Sequence, residues 1–486
     1  MIPLALLVVW PVACIAVAAV LPRPRAVLGL GVVGSLVQVG LFAGVARAGF
    51  AGRTLGVGEQ LLLDPLSAFH LALVVTVFAM SSIYACYSFA PQLASGQLTR
   101  RKARRFGAAW FAFLGSMTTM LLANHVGLMW MAMEATTLAS AVLICLEFDR
   151  PSLQAAWAYL LICSVGIALA LLGTFLLCGE ARAAAGGGDP FLWTHLSELA
   201  PRMRAAPVHL AFLFLLVGYG TKAGLAPMHT WLPAAHSQAP SPVSAVLSGV
   251  LLNCAIYCIS RFVPIVEGAT ADAGWALGLL VPFGLVSIGV AAAFIVGEHD
   301  IKRLLAFSSV EHMGVIALGI GVGGGTAALF HTLNHSVGKM LSFFCAGTLA
   351  QRFGTRDMRQ MRGILTVGSS AGAGVVLGIL ALVGLPPFSI FMSELWIVKV
   401  GIGGGRYWTV AAFLVGAGVV FVAAIRHAVE MVWKRPGEGR EPVAPARLGW
   451  PLVVLPLAVL LTLGVWMPPV VLRALESAAA VIQGRP

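Results

Sequence analysis

Residues 127–140 read Gly127-Leu-Met-Trp-Met-Ala-Met-Glu134-Ala-Thr-Thr-Leu-Ala-Ser140, an apolar segment with a carboxylate at its centre. An apolar run of about 20 residues is long enough to cross the hydrocarbon core of a bilayer as a helix. This segment belongs to the apolar run 126–147, and runs of similar length recur along the whole chain. It therefore predicts a membrane-spanning helix that carries an ionisable group at lipid depth.

The composition of the chain also predicts a protein embedded in lipid. Of its 486 residues, 59% are hydrophobic and only 10% are charged, and the mean hydropathy is +0.92. Soluble proteins carry about 25% charged residues, so a chain of this length could not cover itself with water-facing surface. The net charge is +12, but the basic residues lie in short loops between apolar runs. That distribution argues against nucleic acid as a partner and is typical of membrane proteins.

Fourteen apolar runs define the predicted architecture, an all-α integral membrane protein with about 14 transmembrane helices. Two of the runs carry a break with both glycine and proline, in Lys222-Ala-Gly-Leu-Ala-Pro227 and in Gly384-Leu-Pro-Pro387, so helices 7 and 12 are predicted to be broken. No charged residue precedes the first run and no cleavage site follows it, so we expect it to remain as helix 1. The runs cover residues 2–21, 26–47, 61–90, 107–123, 126–147, 156–178, 207–228, 243–266, 274–297, 301–321, 326–350, 367–402, 407–433 and 448–470.

Spans 4–8 and 9–13 each contain five helices, with the broken helix fourth in each set. Because five is odd, the second set must cross the membrane in the opposite sense, which predicts two inverted five-helix repeats. The expected domains are N-terminal helices 1–3 (residues 1–105), a first half-channel of helices 4–8 (106–270), a second half-channel of helices 9–13 (271–440) and C-terminal helix 14 (441–486).

The loops carry basic residues unequally. With the N-terminus outside, the inner loops hold 18 lysines and arginines and the outer loops hold nine, the latter including Arg261. The positive-inside rule then predicts that both termini lie on the outer face of the membrane.

The sequence offers no cofactor motif. Its eight cysteines lie almost entirely inside apolar runs without a Cys-x-x-Cys pair, as small hydrophobic residues do. His229 and His236 frame a Pro-containing turn, but no third metal ligand accompanies them in the sequence. No Gly-x-x-x-x-Gly-Lys-Ser/Thr loop is present to support ATP-driven transport. We therefore expect no cofactor, iron–sulfur cluster or metal in this chain.

Several ionisable residues lie inside the apolar runs, where a charged group costs roughly 2.5–3.5 kcal/mol. Glu134 lies in span 5 and Lys222 at the break of span 7. His331, His335 and Lys339 recur every four residues and therefore share one face of span 11. The candidate proton path comprises Glu134, Lys222, His229, Glu311, His312, His331, His335, Lys339 and Glu394, with His236 and Lys399 as helpers.

Two readings of these groups are open. Any one of them could form a structural ion pair, and a single histidine on an apolar helix is more often a hydrogen-bonded core residue. As a set spread over five spans, however, they would be a poor device for stability, because buried ion pairs seldom repay their desolvation. Acids, amines and imidazoles together suit a proton relay.

Long strings of the chain resemble the antiporter-like proton-pumping subunits of respiratory complex I, Mrp-type sodium/proton antiporters and group 4 [NiFe] hydrogenases. The resemblance covers spans 3 to 12. It rests on Asp64-Pro-Leu-Ser67, the span with Trp130 and Glu134, Lys222-Ala-Gly-Leu-Ala-Pro-Met-His-Thr-Trp-Leu-Pro-Ala-Ala-His-Ser-Gln-Ala-Pro-Ser-Pro-Val-Ser-Ala-Val-Leu-Ser248, Asp300-Ile-Lys-Arg-Leu-Leu-Ala-Phe-Ser-Ser-Val-Glu-His-Met-Gly314 and the His331/His335/Lys339 face.

The resemblance implies that Glu134 pairs with Lys222 and that protons then move through the span 11 residues to Glu394. It also identifies a departure, because relatives typically carry a buried lysine in span 8 where this chain has Asn253. Asn253 would therefore be a helper, with water or His229 bridging that step. Within the family, the string Ser308-Ser-Val-Glu311-His-Met-Gly314 looks most like the F component of hydrogenase-4.

The resemblance implies a proton-translocating, non-redox subunit of a larger oxidoreductase complex, of the hydrogenase-4 or formate-hydrogenlyase type. The expected partners are other membrane and peripheral subunits, protons and the lipid bilayer, and the location that the resemblance implies is a bacterial or archaeal cytoplasmic (inner) membrane. The alternatives are an Mrp-like antiporter subunit that also moves Na⁺, a complex I pumping subunit, and a structural membrane anchor.

Overall fold

The computed structural model describes residues 2–52, 54–185, 188–270, 274–366, 370–433, 441 and 448–484. Over these residues the chain is almost entirely helical, and the predicted all-α membrane fold is confirmed. The elements are α1 Ile2–Val20, α2 Pro24–Phe50, β1 Leu55–Val57, β2 Leu61–Leu63, α3 Pro65–Ala94, α4 Arg100–Leu122, α5 Val126–Ile144, α6 Arg150–Ala185, α7 Trp193–Leu199, α8 Ala205–Ala223, α9 Leu232–Gln238, α10 Ser241–Val246, α11 Leu252–Ala269, α12 Trp275–Ile295, α13 Ile301–Gly321, α14 Gly325–Phe353, α15 Ser370–Leu382, α16 Ser389–Gly403, α17 Tyr407–Val432, α18 Pro451–Val465 and α19 Pro469–Ile482.

Each of the fourteen predicted spans coincides with one helix or with a broken pair of helices. In the described part of the chain, ten spans are long and apolar enough to cross a membrane, and eleven if the bent α18–α19 pair is counted as one. The remaining predicted spans are α4 and α14, which carry ionisable residues, and the broken pair of α15 and α16.

Several predicted boundaries are wrong, among them the start of span 4, since α4 begins at Arg100. Span 3 does not begin at residue 61, because residues 61–63 form β2, which pairs antiparallel with β1. Helix α3 begins instead at Pro65, where the Asp64 side chain accepts a hydrogen bond from the Ser67 backbone N–H at 2.9 Å. Span 6 is longer than predicted, since α6 runs from Arg150 to Ala185. The last span ends at Val465, and a further helix, α19, follows it at an angle of 82°.

Both predicted helix breaks are present, and both follow the same sequence pattern. Gly224-Leu-Ala-Pro227 ends α8 and Gly384-Leu-Pro-Pro387 ends α15, with each glycine in the left-handed region (φ of 74° and 69°). The backbone N–H of the leucine after each glycine bonds a carbonyl five residues earlier, in Gly220 and Leu380 respectively. This is the Schellman type of helix end, which needs a glycine at that position.

Small residues bring α6 and α8 into close contact. A side chain on Gly166 would meet Thr221 Cβ at 2.6 Å, and one on Gly218 would meet the backbone N of Ala170 at 2.6 Å. The opposite face of α6 exposes large apolar side chains, as expected for lipid contact, at Trp157, Leu161 and Val165. The glycine face thus sets the register in which polar residues of α6 meet the end of α8.

A π-helical turn, Leu247–Leu251, joins α10 to α11 and makes them one buried span. The carbonyl of Gly249 accepts hydrogen bonds from the Asn253 amide (2.8 Å) and from the Ser336 hydroxyl (2.7 Å). These side chains from α11 and α14 bind a carbonyl of the irregular turn, in a buried membrane segment where backbone polar groups must find partners within the protein.

A buried ion pair joins the start of α3 to α11. Arg261, which the sequence assigns to an outer loop, is only 4% exposed and forms a two-pronged contact with the equally buried Asp64. Its Nε also donates to the Tyr257 hydroxyl at 2.8 Å, and its guanidinium stacks over Trp193. The loop assignment of Arg261 is therefore wrong, because its side chain turns inward towards the cap of α3.

Candidate functional site

The first polar cluster lies where α5, α6 and α8 meet. The Glu134 carboxylate accepts hydrogen bonds from Ser164 Oγ at 2.8 Å and from Thr137 Oγ1 at 3.2 Å. Lys222, in the last turn of α8, donates to the same Thr137 hydroxyl at 2.9 Å and to the Tyr159 hydroxyl at 2.5 Å. Thr137 therefore connects the acid to the amine.

This geometry corrects the expected pairing of Glu134 with Lys222. The two residues are absent from the ion pairs within 4.0 Å in the described part of the chain. A hydroxyl is both donor and acceptor, so Thr137 can accept from the ammonium while it donates to the carboxylate. The physical reason is that the close α6–α8 contact holds Lys222 against Tyr159, whose ring centroid lies 4.7 Å from the ammonium.

Replacing Thr137 by valine should slow proton translocation in vesicles about tenfold. Valine preserves the shape of threonine but removes the bridging hydroxyl, and a hydrogen bond to a charged group is worth about 1.5–3 kcal/mol. Thr136 is the matched control, because its buried hydroxyl bonds only within its own helix turn, at Met133. Equal effects of Thr137→Val and Thr136→Val on proton translocation in vesicles would contradict the bridging role.

Asn253 is buried on α11 and bonds to the π turn. Its amide nitrogen donates to Gly249 O and to Ser336 Oγ, both at 2.8 Å, while its Oδ1 has no protein hydrogen-bond partner in the described residues. The Asn253 amide therefore stabilises the irregular backbone of the π turn.

His236, rather than His229, belongs to the buried central cluster. The described ring contacts of His229 are to Phe294 and Phe307, which gives no support to the expected bridging role beside Asn253. His236 is fully buried on α9, stacks on Phe343 and lies within electrostatic reach of Lys302 and Lys339. Neither of its ring nitrogens has a protein partner among the described residues.

The histidines of α13 and α14 face one another. His312 Nδ1 lies 2.9 Å from His331 Nε2, and the His312 ring centroid is 5.3 Å from that of His335. All three are buried, so the predicted common face of α14 points into the protein. His335 also lies within electrostatic reach of His236, which extends the row of imidazoles.

A serine determines the tautomer of His331. The Ser393 hydroxyl donates to Ile390 O at 2.8 Å, so it must accept from His331 Nδ1–H, which lies 2.9 Å away. The Nε2 of neutral His331 is then unprotonated and accepts the Nδ1–H of His312. The pair is therefore a directed hydrogen-bond chain towards α16.

Two acids flank the histidines. Glu311 is buried on α13 within electrostatic reach of Lys339, which donates to the Leu305 carbonyl at 2.9 Å and to Ser308. Glu394 follows the break between α15 and α16, and its carboxylate rests against Gly384, where a Cβ atom would lie 2.4 Å from Oε2. The glycine that ends α15 thus also makes room for this carboxylate.

Lys399, the other expected helper, lies outside the buried cluster. It is exposed on α16, on a face of the helix that turns away from the partly buried Glu394. Its position does not support a part in the relay.

Several residues of the site were missed from sequence, among them Ser393, which orients His331. Thr137, Tyr159 and Ser164 are common polar residues that no local pattern singles out. Lys302 was not among the candidate residues, but it is 5% exposed and donates to the Ala239 carbonyl at 2.6 Å. A polar cavity of about 490 Å³ reaches Lys302 and is lined also by Gln92, Glu147, Gln238, Gln351 and Arg356.

The sequence predicts that this chain holds no metal, but the structure brings together three side chains that could bind one. One ring nitrogen each of His312 and His331 and a carboxylate oxygen of Glu394 lie within 4.8 Å of one another. His312 and Glu394 are 82 positions apart along the chain, so no short sequence motif indicates this cluster.

Residues 123–420 match the family model described as the NADH:quinone oxidoreductase/Mrp antiporter transmembrane family. The chain belongs to this family. The match includes every residue of the two clusters described above. Membership confirms that the chain is an antiporter-like, multi-pass membrane protein.

One curated relative of this antiporter-like chain is a hydrogenase-4 component F homolog from Methylacidiphilum infernorum. It is 34% identical over 430 residues, which are 88% of this chain and 89% of the relative. A chain of the archaeal membrane-bound sulfane sulfur reductase, a respiratory complex, has the same fold with a TM-score of 0.85 at 20% identity, covering 99% and 97% of the two chains. A chain of the Mrp complex from a Dietzia species aligns with a TM-score of 0.82 at 20% identity, covering 99% and 98%.

Proposed function

We propose that this chain conducts protons across the membrane from the Glu134–Thr137–Lys222 cluster to Glu394, as a subunit of a redox-driven complex. The observation that carries the proposal is the buried row of imidazoles formed by His236, His335, His312 and His331. A purely structural row would be hydrogen-bonded throughout, whereas several of these ring nitrogens lack a protein partner in the described residues.

Water molecules are the natural partners of such nitrogens. A buried site needs two to four polar groups to hold a water molecule, and the imidazoles supply them together with Lys339 and Ser308. Imidazole both accepts and donates a proton, so protons would pass along the row through neutral histidines and intervening water.

The directed chain at the end of the row favours movement towards α16. A proton that reaches His312 would be passed from Nδ1 to His331 Nε2, because that hydrogen bond already exists. Ser393 holds the other nitrogen of His331, and the carboxylate of Glu394 lies beside the pair as the last acceptor.

The cluster at Glu134 would control this row electrostatically. Thr137 binds both charged groups, so a change in charge at Glu134 alters the hydrogen bonding of Lys222. The ionisation of two such coupled groups belongs to both jointly. A redox reaction in a partner subunit would supply the change in charge.

The polar cavity at Lys302 would admit protons to the centre of the molecule. It lies at the end that carries Asp300 and Arg356, which form an ion pair across two loops. The excess of basic residues in those loops supports an inner location for the cavity and an outer location for both termini.

The relative named hydrogenase-4 component F supports a complex of the hydrogenase-4 type, because it matches this chain over almost its whole length. The alternative function within the same family is an Mrp-like exchange of Na⁺ for H⁺. Sodium prefers oxygen ligands, as hard cations do, whereas the second cluster is rich in imidazole, which favours proton transfer.

The proposal is tested by Glu134→Gln in inside-out membrane vesicles that contain the intact complex, with reduced methyl viologen as electron donor. Glutamine keeps the shape of glutamate and one of its two acceptor oxygens but cannot ionise, so dye-detected proton uptake should fall to background. Glu198→Gln is the matched control, because the Glu198 side chain is 78% exposed. Equal amounts of co-purified subunits would show that assembly is intact.

Wild-type uptake by the Glu134→Gln complex would contradict the proposal and favour a structural anchor. Uptake that requires added Na⁺ would favour the antiporter alternative.

A further inference from the structure

Three side chains beside the last step of the proton path have the composition of a metal site. One ring nitrogen each of His312 and His331 and an oxygen of Glu394 lie within 4.8 Å of one another. Ligand atoms around a tetrahedral zinc ion are about 3.3 Å apart, given bonds of about 2.0–2.1 Å. The two facing nitrogens are 2.9 Å apart, so they would separate by a few tenths of an ångström, and the carboxylate would move inward by up to about 1.5 Å, to admit an ion.

A hydrogen bond to Ser393 fixes His331 in the tautomer that can bind a metal. Because Ser393 accepts the Nδ1–H of His331, the lone pair of Nε2 points into the cluster. A hydrogen bond of this kind on the far nitrogen is the usual partner of a metal-bound histidine. His312 would place its proton on Nε2, which has no protein partner among the described residues, and offer Nδ1 to the ion.

The ligand types select the class of ion. Two imidazoles and one carboxylate suit borderline transition metals such as Zn²⁺ and Co²⁺, and three protein ligands leave a fourth position for water. Na⁺ and Ca²⁺ prefer sites made of oxygen atoms.

The local charges also suit a divalent cation. Glu394 lies within electrostatic reach of Glu311, whose carboxylate is buried. Two carboxylates balance the two positive charges of the ion, which reduces the cost of placing it in a low-dielectric interior. Glu394 is partly exposed whereas both histidines are buried, so an ion would enter at the carboxylate.

We propose that His312, His331 and Glu394 bind Zn²⁺, and that the bound ion stops proton transfer by occupying the lone pairs that the protons need. The binding site stands on the geometry of the cluster alone. The inhibitory effect rests on the proposed function.

The binding site is tested on the full-length chain, purified with its associated subunits, by titration with Co²⁺. Cobalt in a site with nitrogen and oxygen ligands gives visible d–d absorption bands, and Zn²⁺ should displace it with a stoichiometry of one ion per chain. His331→Gln and Glu394→Gln should each weaken binding at least about tenfold. His427→Gln is the matched control, because His427 is a buried histidine bonded to the Ile295 carbonyl, and it should bind as the wild type does.

The binding proposal is overturned if Co²⁺ gives no saturable spectrum, or if His331→Gln and Glu394→Gln bind as tightly as His427→Gln. Near-identical helix content of the variants by circular dichroism shows that they are folded. Proton uptake in vesicles is measured separately, with and without Zn²⁺, and should be lost in wild type as the site fills. Binding at these residues without any loss of uptake would overturn the proton path through them while leaving the metal site intact.

Discussion

Replacing Lys222 by methionine is expected to reduce proton uptake to background while leaving the helices assembled. Methionine fills a volume similar to that of lysine without a charge or a titratable proton. Lys222 is fully buried, and its ammonium contacts Thr137, Tyr159 and the face of the Tyr159 ring. Without it, the Glu134 cluster has no amine to exchange protons with the rest of the path. Uptake is measured in inside-out vesicles with a pH-sensitive dye.

A second substitution at the same position separates proton exchange from a static charge. Lys222→Arg keeps the positive charge, but arginine does not release its proton in proteins. The relay therefore predicts loss of uptake in both variants, whereas a structural ion pair predicts that arginine restores it. Lys399→Met is the matched control, because this lysine is exposed, and it should pump like the wild type. Normal uptake by Lys222→Met would refute the role of Lys222.

The largest loss of stability is expected from Arg261→Met. This change leaves the Asp64 carboxylate buried without its partner, and breaking one side of a buried ion pair costs about 3–5 kcal/mol. It also removes the stacking of the guanidinium on Trp193 and its bond to Tyr257, which ties α11 through the Tyr257 hydroxyl to Leu121 O on α4. Thermal unfolding is measured in detergent as the loss of monodisperse protein on heating. The midpoint temperature should be clearly lower for Arg261→Met than for the wild type.

A double substitution identifies the unpaired charge as the cause. Asparagine at position 64 still caps α3 but is neutral, so Asp64→Asn with Arg261→Met should recover part of the lost stability. Arg426→Met is the control for loss of an exposed ion pair, since the Arg426 and Glu430 side chains are 69% and 37% exposed, and it should cost less than about 1 kcal/mol. A single Arg261→Met variant as stable as the double variant would contradict this explanation.

The sequence predicted the membrane helices because length and apolarity are local properties of a chain. The breaks at Gly224 and Gly384 were equally predictable, since proline prevents a helix from continuing whatever surrounds it. Local chemistry also has limits, because the Leu61–Leu63 strand is as apolar as the helix that follows. Only its pairing with residues 55–57 distinguishes it.

The candidate site was predictable only as a set of residues. Buried ionisable side chains stand out in an apolar chain, and their cost at lipid depth points to function. Their partners do not stand out. Thr137 and Ser393 are ordinary hydroxyl residues in the sequence, yet one connects Glu134 to Lys222 and the other orients His331. Asn253 was recognised as a departure, but its bond to the π turn could not be foreseen.

The sequence by itself determined the number of spans, the two broken helices and the ionisable residues at lipid depth, because each follows from hydropathy or backbone chemistry within a few residues. Only the tertiary structure decided that Glu134 meets Lys222 through a hydroxyl, that Arg261 turns inward, and that His312, His331 and Glu394 converge. The reason is geometric. Which side chains meet across a bundle depends on the rotation and spacing of helices, and these are set by close-packed contacts such as Gly166 against Thr221.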